Sequence, residues 1–269
     1  MATNPLIQFL SDLKVYANGT NTPDNFKADT EALLTSLSTN GPQNLPQTFV
    51  TDLVDYQTNG NKGTGLLAQL MTAEGSAQIP LAMAILAEYA GNTDTIIQQI
   101  LSSLYALIKA NGHSIANGTL FNNFFALAYL SNTNFNTAFQ EDLANFAANH
   151  YSTSSLIAQL SNASRSETVP LAIAILAEYA GNTDTIIQQM LSSLNQIANG
   201  NAQLDSTLLN NFFALAYLSN TNFNTAFQED LANFLANHQS TTSLIAQLSN
   251  ASKEQQPTLA KQILAEYKG

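Results

Sequence analysis

The stretch Pro80–Leu104, PLAMAILAEYAGNTDTIIQQILSSL, decides the fold, because it returns almost unchanged as Pro170–Leu194, PLAIAILAEYAGNTDTIIQQMLSSL. Within it Ile96, Ile97, Ile100, Leu101 and Leu104 stand at i, i+1, i+4, i+5 and i+8, one face of a helix and a pattern that no strand produces. The Gly91-Asn92 pair ends the helix before it, while Thr93 and Asp94 supply a cap and a first-turn carboxylate for the next. Two helices therefore meet at a tight turn, and they do so twice.

Outward from this block the repetition continues. Asn122–Ser164 returns as Asn210–Ser252, and the offset falls from 90 residues (Pro80 to Pro170) to 88 (Asn122 to Asn210). That difference is absorbed in Asn- and Gly-containing stretches, 112–118 and 199–203, where a helical protein tolerates it. A diverged copy precedes both: Phe49-x-x-Asp52-Leu53-x-x-Tyr56, followed by Leu66 to Leu70, matches Phe139-x-x-Asp142-Leu143-x-x-Phe146 and Leu156 to Leu160 in register. After the last full copy, Leu259–Tyr267 repeats the opening helix. The expected organisation is a diverged N-terminal repeat over 1–78, a second over 79–167, a third over 168–254, and a capping helix over 255–269. In that last helix Lys261 and Gln262 stand where Met83 and Ala84, and Ile173 and Ala174, stand earlier, which predicts a polar outer face on a terminal repeat element and argues against end-to-end polymerisation through it.

Other segments give the same fold class. Residues 134–149 carry Phe139, Leu143, Phe146 and Ala147 on one stripe, with Glu141, Asp142 and Asn145 read as the opposite, solvated face. Leu120–Leu130 is apolar nearly all round apart from Asn122 and Asn123, the pattern of a helix enclosed by neighbours. Pro80, Pro170 and Pro257 are expected at helix starts, where a missing N–H costs nothing. The prediction is an all-α chain of tandem helical repeats, about five helices per later copy, arranged as an array or a compact multi-helix bundle.

Composition excludes several function classes. Hydrophobic residues make up 45%, enough for a sizeable core, whereas charged residues reach only 10%, so the surface must be rich in Asn, Gln, Ser and Thr. Eight Lys and Arg face nineteen Asp and Glu for a net charge of -11, and between Lys109 and Lys253 the one Lys or Arg is Arg165. Nucleic acid and anionic membranes need clustered cations, and none exists. No cysteine is present, so thiolate chemistry and disulfides are excluded. No apolar run approaches the length of a membrane span. The opening residues show no signal peptide; scarce Lys and Arg leave few sites for trypsin-like proteases and favour an extracellular or cell-surface setting, with the cytoplasm as the alternative.

The search for chemistry is negative: no catalytic residues, cofactor or metal ligands are assigned. His150 and His238 recur at the end of an amphipathic helix, where a histidine suits the negative end of the dipole, and neither they nor His113 has a second histidine one turn away. Glu141-Asp142 and Glu229-Asp230 are adjacent on a helix, about 100° apart, and read as solvated surface rather than an acid-base pair. Gly60-Asn61-Lys62-Gly63-Thr64-Gly65 precedes a helix that could offer its N-terminus to phosphate, but its spacing and lack of a preceding strand favour a plain linker. Four Asn-x-Ser/Thr triplets, beginning at Asn18, Asn117, Asn162 and Asn250, are expected by chance in such a composition.

The most suggestive feature is aromatic. Phe121, Phe124, Phe125, Tyr129, Phe139 and Phe146, repeated as Phe212, Phe213, Tyr217, Phe227 and Phe234, form either a packed core or the lining of a cavity for an apolar ligand. Two functions follow as expectations: a non-catalytic structural or adhesive protein binding a protein partner or itself, and, as the alternative, a carrier of an apolar small molecule or lipid held between these aromatic-rich helices.

Overall fold

The computed structural model describes residues 4–20, 23–41, 44–110, 116–130, 135–218 and 223–269. It is all-helical, 76% helix with no strand among the described residues. The helices are α1 (Pro5–Ala17), α2 (Phe26–Asn40), α3 (Gln47–Asn59), α4 (Leu66–Thr72), α5 (Gln78–Ala90), α6 (Asp94–Lys109), α7 (Gly118–Tyr129), α8 (Thr137–Ala148), α9 (Leu156–Asn162), α10 (Arg165–Ala180), α11 (Asp184–Ala198), α12 (Ser206–Leu218), α13 (Thr225–Ala236), α14 (Leu244–Ser249) and α15 (Gln256–Lys268). His113 lies outside the described residues.

Two compact units divide the chain, Met1–Ser103 with Asn117–Thr133, and Leu104–Ala116 with Asn134–Gly269. In the first unit α3, α4 and α5 pack pairwise, and α5 also lies against α1 and α7. In the second, α8, α9 and α10 pack pairwise, as do α13, α14 and α15, with α12 on α10 and α11 on α15. Equivalent helices thus make equivalent contacts, as the repeated sequence requires.

The joints are built by local chemistry. Gly91 and Gly181 end α5 and α10 in the left-handed region at φ 71°, where a Cβ is strained, and their N–H groups return to the last turn of each helix. Asn136 caps α8 by accepting the Phe139 N–H at 3.1 Å, and Asn224 does the same for Phe227 at 3.1 Å. The same two amides reach across to the helix two further along the chain: Asn136 Nδ2 donates to the Glu178 carbonyl and, at 3.0 Å, to that of Tyr179 on α10, while Asn224 Nδ2 donates to the Glu266 carbonyl and, at 2.8 Å, to that of Tyr267 on α15. One side chain therefore caps one helix and closes the carbonyl end of another. Beside each lies an edge-to-face ring pair, Phe139–Tyr179 at 5.4 Å and Phe227–Tyr267 at 5.4 Å, matched in the first unit by Phe49–Tyr89 at 5.5 Å.

α7 is enclosed as its composition predicts, with no exposed residue from Leu120 to Leu130. Lys261 and Gln262 are exposed where Ala84 and Ala174 are buried and Met83 and Ile173 half-buried. Pro170 departs from expectation, lying inside α10 rather than at its start. The cause is a capping box: the Glu167 carboxylate accepts the Ser164 N–H at 2.8 Å, which begins the helix upstream of the proline. At the corresponding place in the first unit a 3₁₀ turn, Gly75–Ala77, leads into α5 instead.

Candidate functional site

Two features recur with the repeat and carry polar or apolar surface that folding alone does not use: a groove, and a buried pair of carboxyl groups.

The groove appears once in each unit. In the first it measures about 640 Å³ and is walled by Ile79, Met83, Leu86, Ala87 and Ala90 of α5, by Thr95, Ile96 and Gln99 of α6, and by Gly118, Thr119 and Asn122 at the start of α7, with Ala17 and Asn18 closing one end. In the second it measures about 590 Å³, walled by Val169, Ile173, Leu176, Ala177 and Ala180 of α10, by Thr185, Ile186 and Gln189 of α11, and by Ser206, Thr207, Asn210 and Asn211 of α12, with Tyr105 and Ile108 at the end. Ile79 to Gln99 map onto Val169 to Gln189 with an offset of 90 residues, so the two grooves are one design. Neither has a charged residue among these walls; the polar groups are amides and hydroxyls, each able to donate or accept.

Amide side chains reach the floor as well. Asn211 is 1% exposed and its Nδ2 lies 3.5 Å from the Gln189 Oε1. Its equivalent Asn123 is fully buried, and neither its donor nor its acceptor atom has a partner. An unsatisfied buried amide is costly, and Asn123, unlike Asn211, is not among the residues that wall its groove.

The carboxyl pairs were not legible as such. Asp142 and Asp230, read from sequence as solvated, are 4% and 3% exposed, whereas their neighbours Glu141 and Glu229 are exposed. The correction follows from helix geometry: Asp142 is three residues after Phe139 and four before Phe146, in phase with the buried stripe. Asp142 Oδ2 accepts the Ile157 N–H at 3.1 Å and Asp230 Oδ2 that of Ile245 at 3.1 Å, holding the N-termini of α9 and α14. In the first unit Asp52 takes the Leu67 N–H with both oxygens, at 3.2 and 2.9 Å, and Asp55 takes that of Gly65 at 2.7 Å. The Gly-rich loop therefore turns its free amides toward the chain's own carboxylates, which agrees with a linker and leaves no phosphate cradle. Gly65 is required there, since a Cβ would run into Asp52 Oδ1.

Against each aspartate stands a glutamate from the next helix. The Glu178 carboxyl is within hydrogen-bonding reach of Asp142, and Glu266 of Asp230; Glu88 faces Asp52 electrostatically. Burial, then the aspartate charge, pushes Glu178 up to about 8, Glu266 to about 7 and Glu88 to about 7. Burial likewise raises Asp142 and Asp230, and Asp52 to about 6.

No family model matches this chain, and comparisons with curated proteins and with solved structures find no match. Function must be argued from geometry.

The aromatic candidates lie outside both grooves, while Phe139 and Phe227 pack at the carboxyl-pair joints. Phe124, Phe139, Phe146, Phe212, Phe227 and Phe234 are at most 1% exposed, and Phe121, Phe125, Tyr129, Phe213 and Tyr217 are half-buried. Phe213 meets Phe234 at 4.4 Å and the His238 ring at 4.9 Å, and none of the eleven lines either groove. Burial pushes the Tyr217 hydroxyl up to about 12 and raises that of Tyr129. His238 Nδ1 lies 2.9 Å from the Phe234 carbonyl oxygen at the end of α13, the placement that a helix-end histidine favours. Among the described residues no three His, Asp or Glu gather as a metal site, and no single helix is long and apolar enough to cross a membrane.

Proposed function

We propose that this chain is a non-catalytic interaction protein whose two equivalent grooves each receive an uncharged, extended peptide segment of a protein partner. One observation carries the reading: the groove is built twice with the same uncharged, part-aliphatic, amide-bearing walls, and the position held by Met83 and Ile173 in those walls becomes Lys261 in α15. An extended chain offers N–H and C=O of one residue on the same side, the pair that a half-buried groove carboxamide such as Asn122 or Asn210 reads, while its alternate side chains meet the aliphatic wall. A volume of about 600 Å³ per groove falls in the range of sites that enclose a ligand. The same volume favours a second reading, an apolar small molecule held in these grooves instead of among the aromatic rings. Scarce Lys and Arg favour an exposed, extracellular setting for either activity.

Native mass spectrometry against a library of uncharged extended peptides tests the proposal. Two equivalents should bind per chain, and Met83→Lys and Ile173→Lys should each remove one. Binding of a fatty acid or apolar dye at the same two sites, with no peptide binding, supports the second reading. Peptide binding that ignores both substitutions refutes the groove as the site.

A further inference from the structure

The Asp142–Glu178 and Asp230–Glu266 pairs bring carboxyl oxygens together, with the Ser155 and Ser243 hydroxyls beside the aspartates. Asp142 Oδ1 and Glu178 Oε2 are both shut off from solvent without a hydrogen-bond partner, and so are Asp230 Oδ1 and Glu266 Oε2 and, in the first unit, Glu88 Oε2. Two ionised carboxylates so placed repel each other, whereas a single proton converts the contact into a charge-assisted O–H···O bond. The other oxygen of Asp142 is already committed to the Ile157 N–H, as that of Asp230 is to Ile245, so the open valence in these two pairs faces the glutamate, whereas both oxygens of Asp52 are held by the Leu67 N–H.

We propose that the Asp142–Glu178 and Asp230–Glu266 pairs each bind one shared proton and that this proton latches the junction of three helices, α8, α9 and α10 in one case and α13, α14 and α15 in the other; at the junction of α3, α4 and α5 the proton rests on Glu88 alone, beside the Asp52 charge. With the proton bound, the aspartate holds the short helix by its N-terminus and the glutamate-bearing helix by its carboxyl. Without it, two like charges stand inside the joint and the short helix is released first, because it is only six or seven residues long and depends on its neighbours.

Among the described residues no Lys or Arg acts on the three glutamates. At the middle joint the other ionisable groups on the packed helices are Glu141 on α8 and Arg165 and Glu167 on α10; Arg165 starts α10, thirteen residues before Glu178, a rise of about 20 Å. At the last joint they are Glu229 on α13, Lys261 and Lys268 on α15, and Asp184 on α11, with both lysines exposed. At the first they are Asp55 on α3 and Asp12 and Lys14 on α1. Tyr89, Tyr179 and Tyr267 follow the three glutamates and turn their rings onto Phe49, Phe139 and Phe227.

The direction of the pH response follows from the sign of the shifts. All three glutamates are raised in the folded chain, so their contribution is complete below the ordinary glutamate value of 4.5 and is lost as pH climbs through about 7 to 8. The latch is closed in acid and open in mild alkali.

Two measurements on the full chain test this. Carboxyl carbon resonances of the intact protein, followed by pH, should show three glutamates titrating near or above neutrality, and the thermal midpoint should fall between about pH 5 and pH 8 and then level off. Glu178→Gln keeps a donor facing Asp142 at every pH, so it should remove about one third of that fall and slow amide exchange in α9 at pH 9; Glu88→Gln/Glu178→Gln/Glu266→Gln should remove most of it. Glutamates that all titrate in the ordinary range, or a thermal midpoint that rises from pH 5 to 8, overturn the proposal. So does a wild-type midpoint at pH 8 that calcium raises and chelator lowers, which would make the bound species a cation.

Discussion

Replacing Asn136 should reveal how much one side chain contributes when it serves two helices at once. Its Oδ1 caps α8 through the Phe139 N–H, and its Nδ2 donates to the Glu178 and Tyr179 carbonyls at the end of α10. Losing a cap costs about 1 kcal/mol and each net hydrogen bond about 1 kcal/mol, so Asn136→Ala should destabilise the fold by roughly 2–3 kcal/mol. In a chain of this size that lowers the thermal midpoint by about 5–10 °C. The discriminating variant is Asn136→Asp. As a cap alone, aspartate is the equal of asparagine and suits the positive end of α8. At this joint it replaces a donor by an oxygen facing two carbonyls, so Asn136→Asp should be at least as destabilised as Asn136→Ala. Urea unfolding followed by helix signal, with the slope unchanged, is the assay. An Asn136→Asp midpoint within about 0.5 kcal/mol of wild type would refute the claim that Nδ2 holds α10.

Pro46 stands where the later copies have Asn136 and Asn224, caps α3 without a side-chain bond, and lies beside Gly91; Pro46→Asn should therefore gain about 1 kcal/mol, read as a higher denaturation midpoint. Phe139→Ala removes a fully enclosed ring with its Tyr179 contact and should cost about 3–5 kcal/mol, with Phe227→Ala costing a similar amount at the next joint. Gly181→Ala forces a Cβ at φ 71° and should cost about 1–2 kcal/mol without altering helix content. Lys261→Ile/Gln262→Ala gives α15 the apolar face of α5 and α10, and sedimentation should then show stronger concentration-dependent self-association than in the wild type.

Much of the fold is legible because the same 25-residue sentence, Pro80–Leu104, is written twice: any element assigned in one copy is tested in the other. The i, i+4, i+8 spacing of Ile96, Ile100 and Leu104 reappears as Ile186, Met190 and Leu194, all buried. Position-specific detail is harder. Pro170 reads as a helix start because a missing N–H costs nothing there, yet Ser164 and Glu167, a capping box visible in the sequence, begin the helix earlier. The grooves were not legible at all. Their walls come from helices whose separation depends on tertiary packing, and Met83 or Ile173 reads as one more core residue until the neighbouring helices are placed.

The carboxyl pairs occupy the ground between. A charged residue on an amphipathic helix is by default assigned to water, and Asp142 next to Glu141 invites that assignment. The diverged first copy contains the signal that separates them. Where the later copies have Glu141 and Glu229, it has Thr51; where they have Asp142 and Asp230, it keeps Asp52. The partner glutamate follows 36 residues later each time, Asp52 to Glu88, Asp142 to Glu178 and Asp230 to Glu266, although in the first copy the segment between differs extensively from the later two. A residue that stays while its exposed neighbour drifts is constrained by something inside the fold, and two acids at a fixed separation are constrained together. What the chain could not disclose is that they face each other: that requires α8 to meet the far end of α10, which Asn136 and the Phe139–Tyr179 contact bring about. Once that docking is made, the remaining choice is electrostatic. Two buried acids in contact need either a cation, of which this chain has few, or a proton, which the upward shift of the three glutamates favours.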